Sequence, residues 1–113
     1  EILDKYNTIK KKFQNKRLEL IKEDFDAKKA KDTKLITKLE NDYNKLIKRK
    51  VLFTTNFAIS NADSEVAPYL GLTEMYNASL KMLDTVSNSL SDKVKKSDYG
   101  KRFQKYLAKI KTE

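Results

Sequence analysis

The side chains that could take part in acid–base chemistry here are carboxylates, lysines and hydroxyls, because the 113-residue chain contains no cysteine and no histidine. Thiolate nucleophiles, disulfides and histidine bases or metal ligands are therefore excluded. Two carboxylate pairs, Asp24 with Asp26 and Glu40 with Asp42, stand two residues apart. Such residues diverge by about 200° on a helix, so neither pair can converge on one substrate or metal. We expect no catalytic residue, no metal site, no bound cofactor and no small-molecule substrate.

The second chemical signal is positive charge, with a formal net charge of +9. Lysine-rich runs at residues 10–12, 48–50 and 93–96 could contact nucleic acid or an anionic membrane surface. Basic and acidic residues nevertheless interleave closely, as in residues 22–24, which is typical of the solvated face of a long helix. We therefore predict no nucleic-acid partner. Binding to nucleic acid or to an anionic membrane is the least favoured of the functions considered.

Six tyrosines and five phenylalanines could in principle form a surface on which nucleobases stack. Most of them recur at helical spacing on apolar stripes, which favours packing in a core instead. The aromatic residues on these stripes are Tyr6, Phe13, Tyr43, Phe53, Phe57, Tyr69, Tyr76, Tyr99, Phe103 and Tyr106.

The elements that carry these groups are predicted to be helices, since two glycines and one proline leave little turn chemistry for a sheet. Apolar residues repeat at helical spacing from Ile2 to about Ala30. A heptad seam follows, at Ile36, Leu39, Tyr43, Leu46, Lys50, Phe53 and Phe57. A turn at residues 31–33, where Asp32 or Thr33 can cap the second helix, predicts an antiparallel hairpin over residues 1–59. One continuous helix over residues 2–59 is the alternative.

Residues 60–64 form the clearest break, and two to three shorter helices are predicted over residues 60–113. Ser79, Ser91 and Ser97 are candidate caps, and residues 77–79 could divide the first of these helices in two. Gly100 lies in the first turn of the last helix, where a missing side chain can let another backbone approach. The predicted fold class is all-α, and the chain is treated as a single helical module, residues 1–113.

Part of each long helix is expected to stay uncovered, because hydrophobic residues make up only 39% of the chain and the later helices are shorter than the hairpin. The interaction surface predicted from the two stripes comprises Phe13, Ile21, Phe25, Leu35, Leu39 and Tyr43. Either a second copy, in a symmetric dimer, or an adjacent domain of the same protein could cover it.

Two phrases in the second half resemble those of a known family. Residues 61–70 read Asn-Ala-Asp-Ser-Glu-Val-Ala-Pro-Tyr-Leu, and residues 90–101 read Leu-Ser-Asp-Lys-Val-Lys-Lys-Ser-Asp-Tyr-Gly-Lys. They are similar to phrases in bacterial envelope proteins of the thioredoxin and alkyl hydroperoxide reductase superfamily, which are thiol–disulfide oxidoreductases. Ala62 stands where that family usually has proline. The resemblance is clear over residues 51–110, whereas in the first fifty residues it is limited to the general character of the sequence.

The resemblance implies that this chain is the helical part of a poorly characterised N-terminal domain that precedes a thioredoxin-like domain. The Cys-x-x-Cys motif is absent from the chain, so redox activity is not carried over to it. Glu1 is not a natural start, and we expect the chain to be a fragment of a larger protein. The expected role is a non-catalytic spacer or dimerisation segment in the periplasm or cell envelope. A coiled-coil-like adaptor that binds a protein partner is the alternative.

Overall fold

The computed structural model of the chain describes residues 2–112, and these residues form helices and no strand. The helices are α1 (Ile2–Lys29), α2 (Thr33–Ser60), α3 (Val66–Thr73), α4 (Leu80–Ser89), α5 (Asp92–Lys95) and α6 (Asp98–Thr112). The chain divides into two compact units, residues 3–50 and the residues from 51 onward. The all-α class and the two long leading helices are confirmed.

The first unit is the antiparallel hairpin that the heptad seam predicted, and the continuous-helix alternative is wrong. Its core is thin, with Leu20 and Ala27 of α1 buried against Leu39 of α2. Partly buried residues of α2 pack against this cluster, namely Ile36, Tyr43 and Leu46. The core consists of few residues because each helix offers only the narrow stripe that faces its neighbour.

The turn of the hairpin contains one set of hydrogen bonds that ends α1 and another that begins α2. The amide of Lys31 donates to the carbonyl of Lys28 at 3.1 Å, and the amide of Asp32 donates to that of Ala27 at 3.0 Å. This pair of bonds is a Schellman motif, in which the residue after the helix takes a left-handed conformation. Lys31 is that residue, with a φ of 56°. Asp32 Oδ1 then accepts from the amide of Leu35 at 3.1 Å, which confirms a cap at the predicted place.

We expect Lys31→Gly to stabilise the chain by roughly 0.5–1 kcal/mol, because glycine adopts a positive φ without the steric cost that a Cβ brings. Urea unfolding of the two proteins would measure this change in the free energy of unfolding. Lys34→Gly is the matched control, since Lys34 lies within α2. Glycine there is expected to destabilise the chain by up to ~1 kcal/mol. A loss of stability in Lys31→Gly would contradict the prediction.

The second unit has a thicker core, formed by the last turns of α2 and the four short helices. Its buried residues are Ala58, Ala67, Met75, Leu83, Val86, Leu90, Val94, Phe103 and Leu107. The central element is α6, which packs against α3, α4 and α5. Phe103 of α6 is fully buried, and the backbone of Gly71 in α3 lies against its ring.

Serine side chains precede three of the short helices, as predicted. Ser79, Ser91 and Ser97 each accept a hydrogen bond through Oγ from the backbone amide three residues later, at 3.2, 3.3 and 3.1 Å respectively. Each bond satisfies an amide that the first turn of a helix leaves unpaired. The boundaries of α4, α5 and α6 are therefore set by local chemistry.

Two details differ from the sequence prediction. Four short helices occur within residues 2–112, where two to three were predicted. The division anticipated at residues 77–79 is present but begins earlier, because α3 ends at Thr73 and α4 begins at Leu80. Tyr76 was assigned to an apolar stripe, but it is 74% exposed. It lies in the turn between α3 and α4, where Met75 takes the buried position instead.

The unit boundary falls inside α2, nine residues before the predicted end of the hairpin at residue 59. Beyond Lys50, α2 buries Val51, Thr54, Thr55 and Ala58. Ala58 belongs to the core of the second unit, so the last turns of α2 serve that unit.

Candidate docking surface

The six residues of the predicted interaction surface have different environments in the hairpin. Ile21, Phe25 and Leu35 are exposed, at 46%, 62% and 37% of their surface. Phe13 and Tyr43 are half-buried. Leu39 is only 2% exposed, because it fills the core between α1 and α2. The exposed part of the predicted surface therefore lies mainly on α1.

One exposed residue of this surface is not among the six, although its spacing from Ile21 and Phe25 assigns it to the same apolar stripe. Leu18 is 63% exposed and lies three residues before Ile21 and seven before Phe25, so the three side chains share one face of α1. We call Leu18, Ile21 and Phe25 the α1 stripe. The signal was present in the sequence, because Leu18 and the core residue Leu20 differ by two positions and cannot both face α2.

A cleft of about 410 Å³ lies beside the α1 stripe, between the two helices of the hairpin. Its lining consists of Leu20, Ile21, Asp24, Leu39, Glu40, Tyr43 and Asn44. Ile21 belongs to both the stripe and the cleft, so the two form one continuous surface. The lining combines apolar side chains with two carboxylates, Asp24 and Glu40.

Asp24 is the only residue of the cleft with an ion pair within residues 2–112. Its Oδ2 lies 2.9 Å from Nζ of Lys28, one helical turn further along α1. This hydrogen bond, together with the charge of Asp24, raises the pKa of Lys28. The other oxygen of Asp24, Oδ1, is buried and accepts no hydrogen bond from the described residues. The carboxylate is therefore satisfied on one side only, although a buried oxygen ordinarily has a donor.

Cations surround the α1 stripe. The helix positions three and four residues from its members include Arg17, Lys22, Lys28 and Lys29, and Asp24 is the one acid among them. Nζ of Lys29 lies over the ring of Phe25, 5.7 Å from its centroid. Nε of Arg17 donates to the hydroxyl of Tyr43 at 3.2 Å. The stripe is thus an apolar surface within a positively charged border.

The predicted basic runs lie mostly on solvated faces. Lys11, Lys12, Lys48 and Arg49 are exposed, on α1 and α2. A smaller cleft of about 180 Å³ in the hairpin brings some cations together with Asp42, and it is lined by Lys16, Leu20, Asp42, Lys45, Leu46 and Arg49. No exposed aromatic side chain is among these lining residues, so the cleft lacks the stacking platform of single-strand binders. The absence of a nucleic-acid partner stays a prediction.

The two family-like phrases meet in the second unit. The amide of Ser91 donates to the carbonyl of Ala62 at 3.1 Å, and the rings of Tyr69 and Tyr99 meet edge to face, with centroids 5.3 Å apart. Other members act as caps or as core residues. Ser64, Ser91 and Ser97 accept hydrogen bonds from backbone amides. These members of the phrases therefore serve helix capping, and the buried members serve packing.

Within residues 2–112 there is no cluster of three or more acidic side chains arranged to hold a metal ion. Over the same residues, no helix is both long and apolar enough to cross a bilayer. Comparison of the chain with protein-family models, with curated proteins and with solved structures finds no match.

Proposed function

We propose that this chain is a non-catalytic helical accessory segment whose hairpin docks an adjacent domain of the same protein. The observation that carries the proposal is the α1 stripe, three large apolar side chains exposed on one helix face beside a cleft. Single exposed apolar residues are ordinary on protein surfaces, but a contiguous group next to a concavity marks an interaction site.

The size of the stripe favours a tethered partner. Burying the rest of Leu18, Ile21 and Phe25 would contribute roughly 3–5 kcal/mol, since a large apolar side chain contributes roughly 1.5–3 kcal/mol when fully buried. Bringing two free molecules together costs about 4–15 kcal/mol. The stripe alone is therefore weak against a free partner. A covalent link lowers that cost by raising the effective concentration, which favours a domain of the same polypeptide.

The family resemblance supports a more specific version of this proposal. In it, the chain belongs to a periplasmic or cell-envelope protein related to thiol–disulfide oxidoreductases and positions a thioredoxin-like domain. Any redox activity would then belong to that domain, outside this chain. Reading the coding sequence on either side tests this version: a secretory signal upstream and a Cys-x-x-Cys motif downstream would support it, and a stop codon directly after Glu113 would contradict it.

Photo-crosslinking in the producing cells tests the docking itself. We expect benzoylphenylalanine in place of Phe25 to crosslink to protein, because docking buries that side chain. The matched control replaces Tyr76, an aromatic residue that is 74% exposed and lies in the second unit. A second pair of variants adds Leu18→Asp or Leu52→Asp to the Phe25 probe. Leu18 and Leu52 are 63% and 54% exposed, and we expect only Leu18→Asp to abolish the crosslink.

The identity of the crosslinked peptide distinguishes the candidate functions. A peptide from another part of the same polypeptide supports the accessory segment. A peptide from a different protein supports the coiled-coil-like adaptor, which is the second candidate because a long hairpin can present its face to a separate chain. A peptide from a second copy supports the symmetric dimer. The absence of any crosslink from position 25 would contradict docking by this surface.

A further inference from the structure

We infer that the partner of the α1 stripe is an acidic amphipathic helix. This inference rests on the proposed docking function and adds the chemistry of the occupant. The three apolar residues repeat at spacings of three and four positions over two helical turns, which is the pattern that receives the apolar seam of a second helix. The charges around the stripe determine what must flank that seam.

Charge complementarity selects acidic flanks. Lys22 and Lys29 border the stripe and form no ion pair with the residues that the structure describes. Lys28 already pairs with Asp24, and Arg17 donates to a neutral hydroxyl. A partner helix with glutamate or aspartate beside its seam would place carboxylates against Lys22 and Lys29. A partner with basic flanks would meet like charges at the same places, which disfavours the complex.

The same charges disfavour a second copy. In a symmetric dimer each copy presents the same patch to the other, so two α1 stripes in contact would bring two cationic borders together. Asp24 could offset one of these charges, but it is already paired with Lys28 in its own hairpin. The cationic border therefore opposes stripe-to-stripe association of the chain with itself.

The cleft favours a protein helix over an anionic bilayer. A basic amphipathic helix can also lie on an anionic membrane. Here, however, the apolar surface continues from Ile21 into a cleft of about 410 Å³ that contains Asp24 and Glu40. Side chains of a partner helix can fill such a concavity, whereas a flat lipid surface cannot.

Model peptides test the inference with the whole chain. The probe is a fluorescent helical peptide about three heptads long, with leucine at the seam and glutamate at the flanking positions. The control peptide has the same leucine seam but lysine at the flanking positions. At the high chain concentrations that an untethered complex of this surface requires, and in ~20 mM salt, we expect the chain to bind the glutamate peptide at least about tenfold more tightly than the lysine peptide, with the difference shrinking in ~500 mM salt.

Charge reversal in the chain provides the decisive control. The combined change Lys22→Glu and Lys29→Glu is expected to reverse the preference between the two peptides. Lys5→Glu with Lys12→Glu makes the same change of charge on exposed positions of α1 that face away from the stripe, and we expect the wild-type preference to persist there. Circular dichroism shows whether each variant keeps its helices.

Three results would overturn the inference. The first is equal affinity for the two peptides. The second is tighter binding to vesicles of phosphatidylcholine and phosphatidylglycerol than to the glutamate peptide. The third is a dimer of the wild-type chain in sedimentation that Leu18→Asp dissociates. If Phe25 crosslinks in cells while the peptides bind equally, the docking function stands and only the acidic partner is wrong.

Discussion

Replacing Gly100 with alanine is expected to lower the free energy of unfolding of the chain by about 3 kcal/mol, the upper part of the range for overpacked sites. A Cβ at this position would overlap the carbonyl oxygen of Val94 and lie 3.0 Å from the carbonyl carbon of Lys95. These are backbone atoms, so no rotamer change can relieve the contact. The carbonyl of Val94 also accepts hydrogen bonds from the amide and the hydroxyl of Ser97, which hold it in place.

The direction of the stability change in Gly100→Ala distinguishes a close backbone contact from the effect of helix propensity. Gly100 is in the first turns of α6, and helix propensity alone would make alanine more stable there by up to ~1 kcal/mol. Urea unfolding of wild type and Gly100→Ala measures the change. Lys101→Ala is the matched control, because Lys101 is exposed on the same turn and alanine there is expected to change stability by less than about 0.5 kcal/mol. Greater stability in Gly100→Ala would show that Val94 does not approach as described.

Truncation of Phe103 to alanine should destabilise the chain by about 3–5 kcal/mol, the usual cost of removing a buried aromatic ring. Phe103 is fully buried at the centre of the second unit, on the helix that contacts α3, α4 and α5. The cavity left behind would be lined by the backbone of Gly71 and by core side chains. Thermal or urea unfolding would measure the loss, and Tyr76→Ala, at a mostly exposed aromatic residue, should cost much less.

A double-mutant cycle separates cavity formation from general disruption. A Cβ on Gly71 would lie 2.5 Å from Cε1 and 2.7 Å from Cζ of Phe103. Gly71→Ala should therefore destabilise the wild-type chain, whereas in Phe103→Ala the added methyl group enters the cavity. We expect a coupling of about 1–2 kcal/mol, within the range for residues in contact. Additive effects of the two substitutions would contradict the packing of α3 against α6.

Gly100 also explains part of the family-like phrases. Gly100 belongs to the second phrase, where it lets the Val94 carbonyl approach the first turn of α6. Tyr99, the preceding residue, meets Tyr69 of the first phrase. The spacing of these residues is thus accounted for by packing within the second unit. The candidate docking surface lies elsewhere in the sequence, on the hairpin.

Much of the fold could be predicted from the sequence because the signals involved are local. The heptad seam of α2 and the capping site at Asp32 indicated the hairpin, and Ser79, Ser91 and Ser97 indicated where short helices begin. A cap needs only a side-chain oxygen and an amide three residues away, so it can be recognised without knowledge of the rest of the fold. Close backbone approach at Gly100 was also anticipated, although its partner was not.

The sequence indicates that Leu18 and Leu20 cannot both face α2, but only the tertiary structure decided which of them remains exposed. Leu18 and Leu20 are the same residue type two positions apart, yet Leu20 is 5% exposed and Leu18 is 63% exposed. Composition and spacing mark both as apolar, but only the direction from which α2 packs determines which one is buried. Tyr76 was likewise expected to be buried, but α3 ends at Thr73 and Met75 occupies the core position instead. Whether a residue is buried depends on which other element packs against its face of the helix. That element is often far away in the sequence, so local spacing does not identify it.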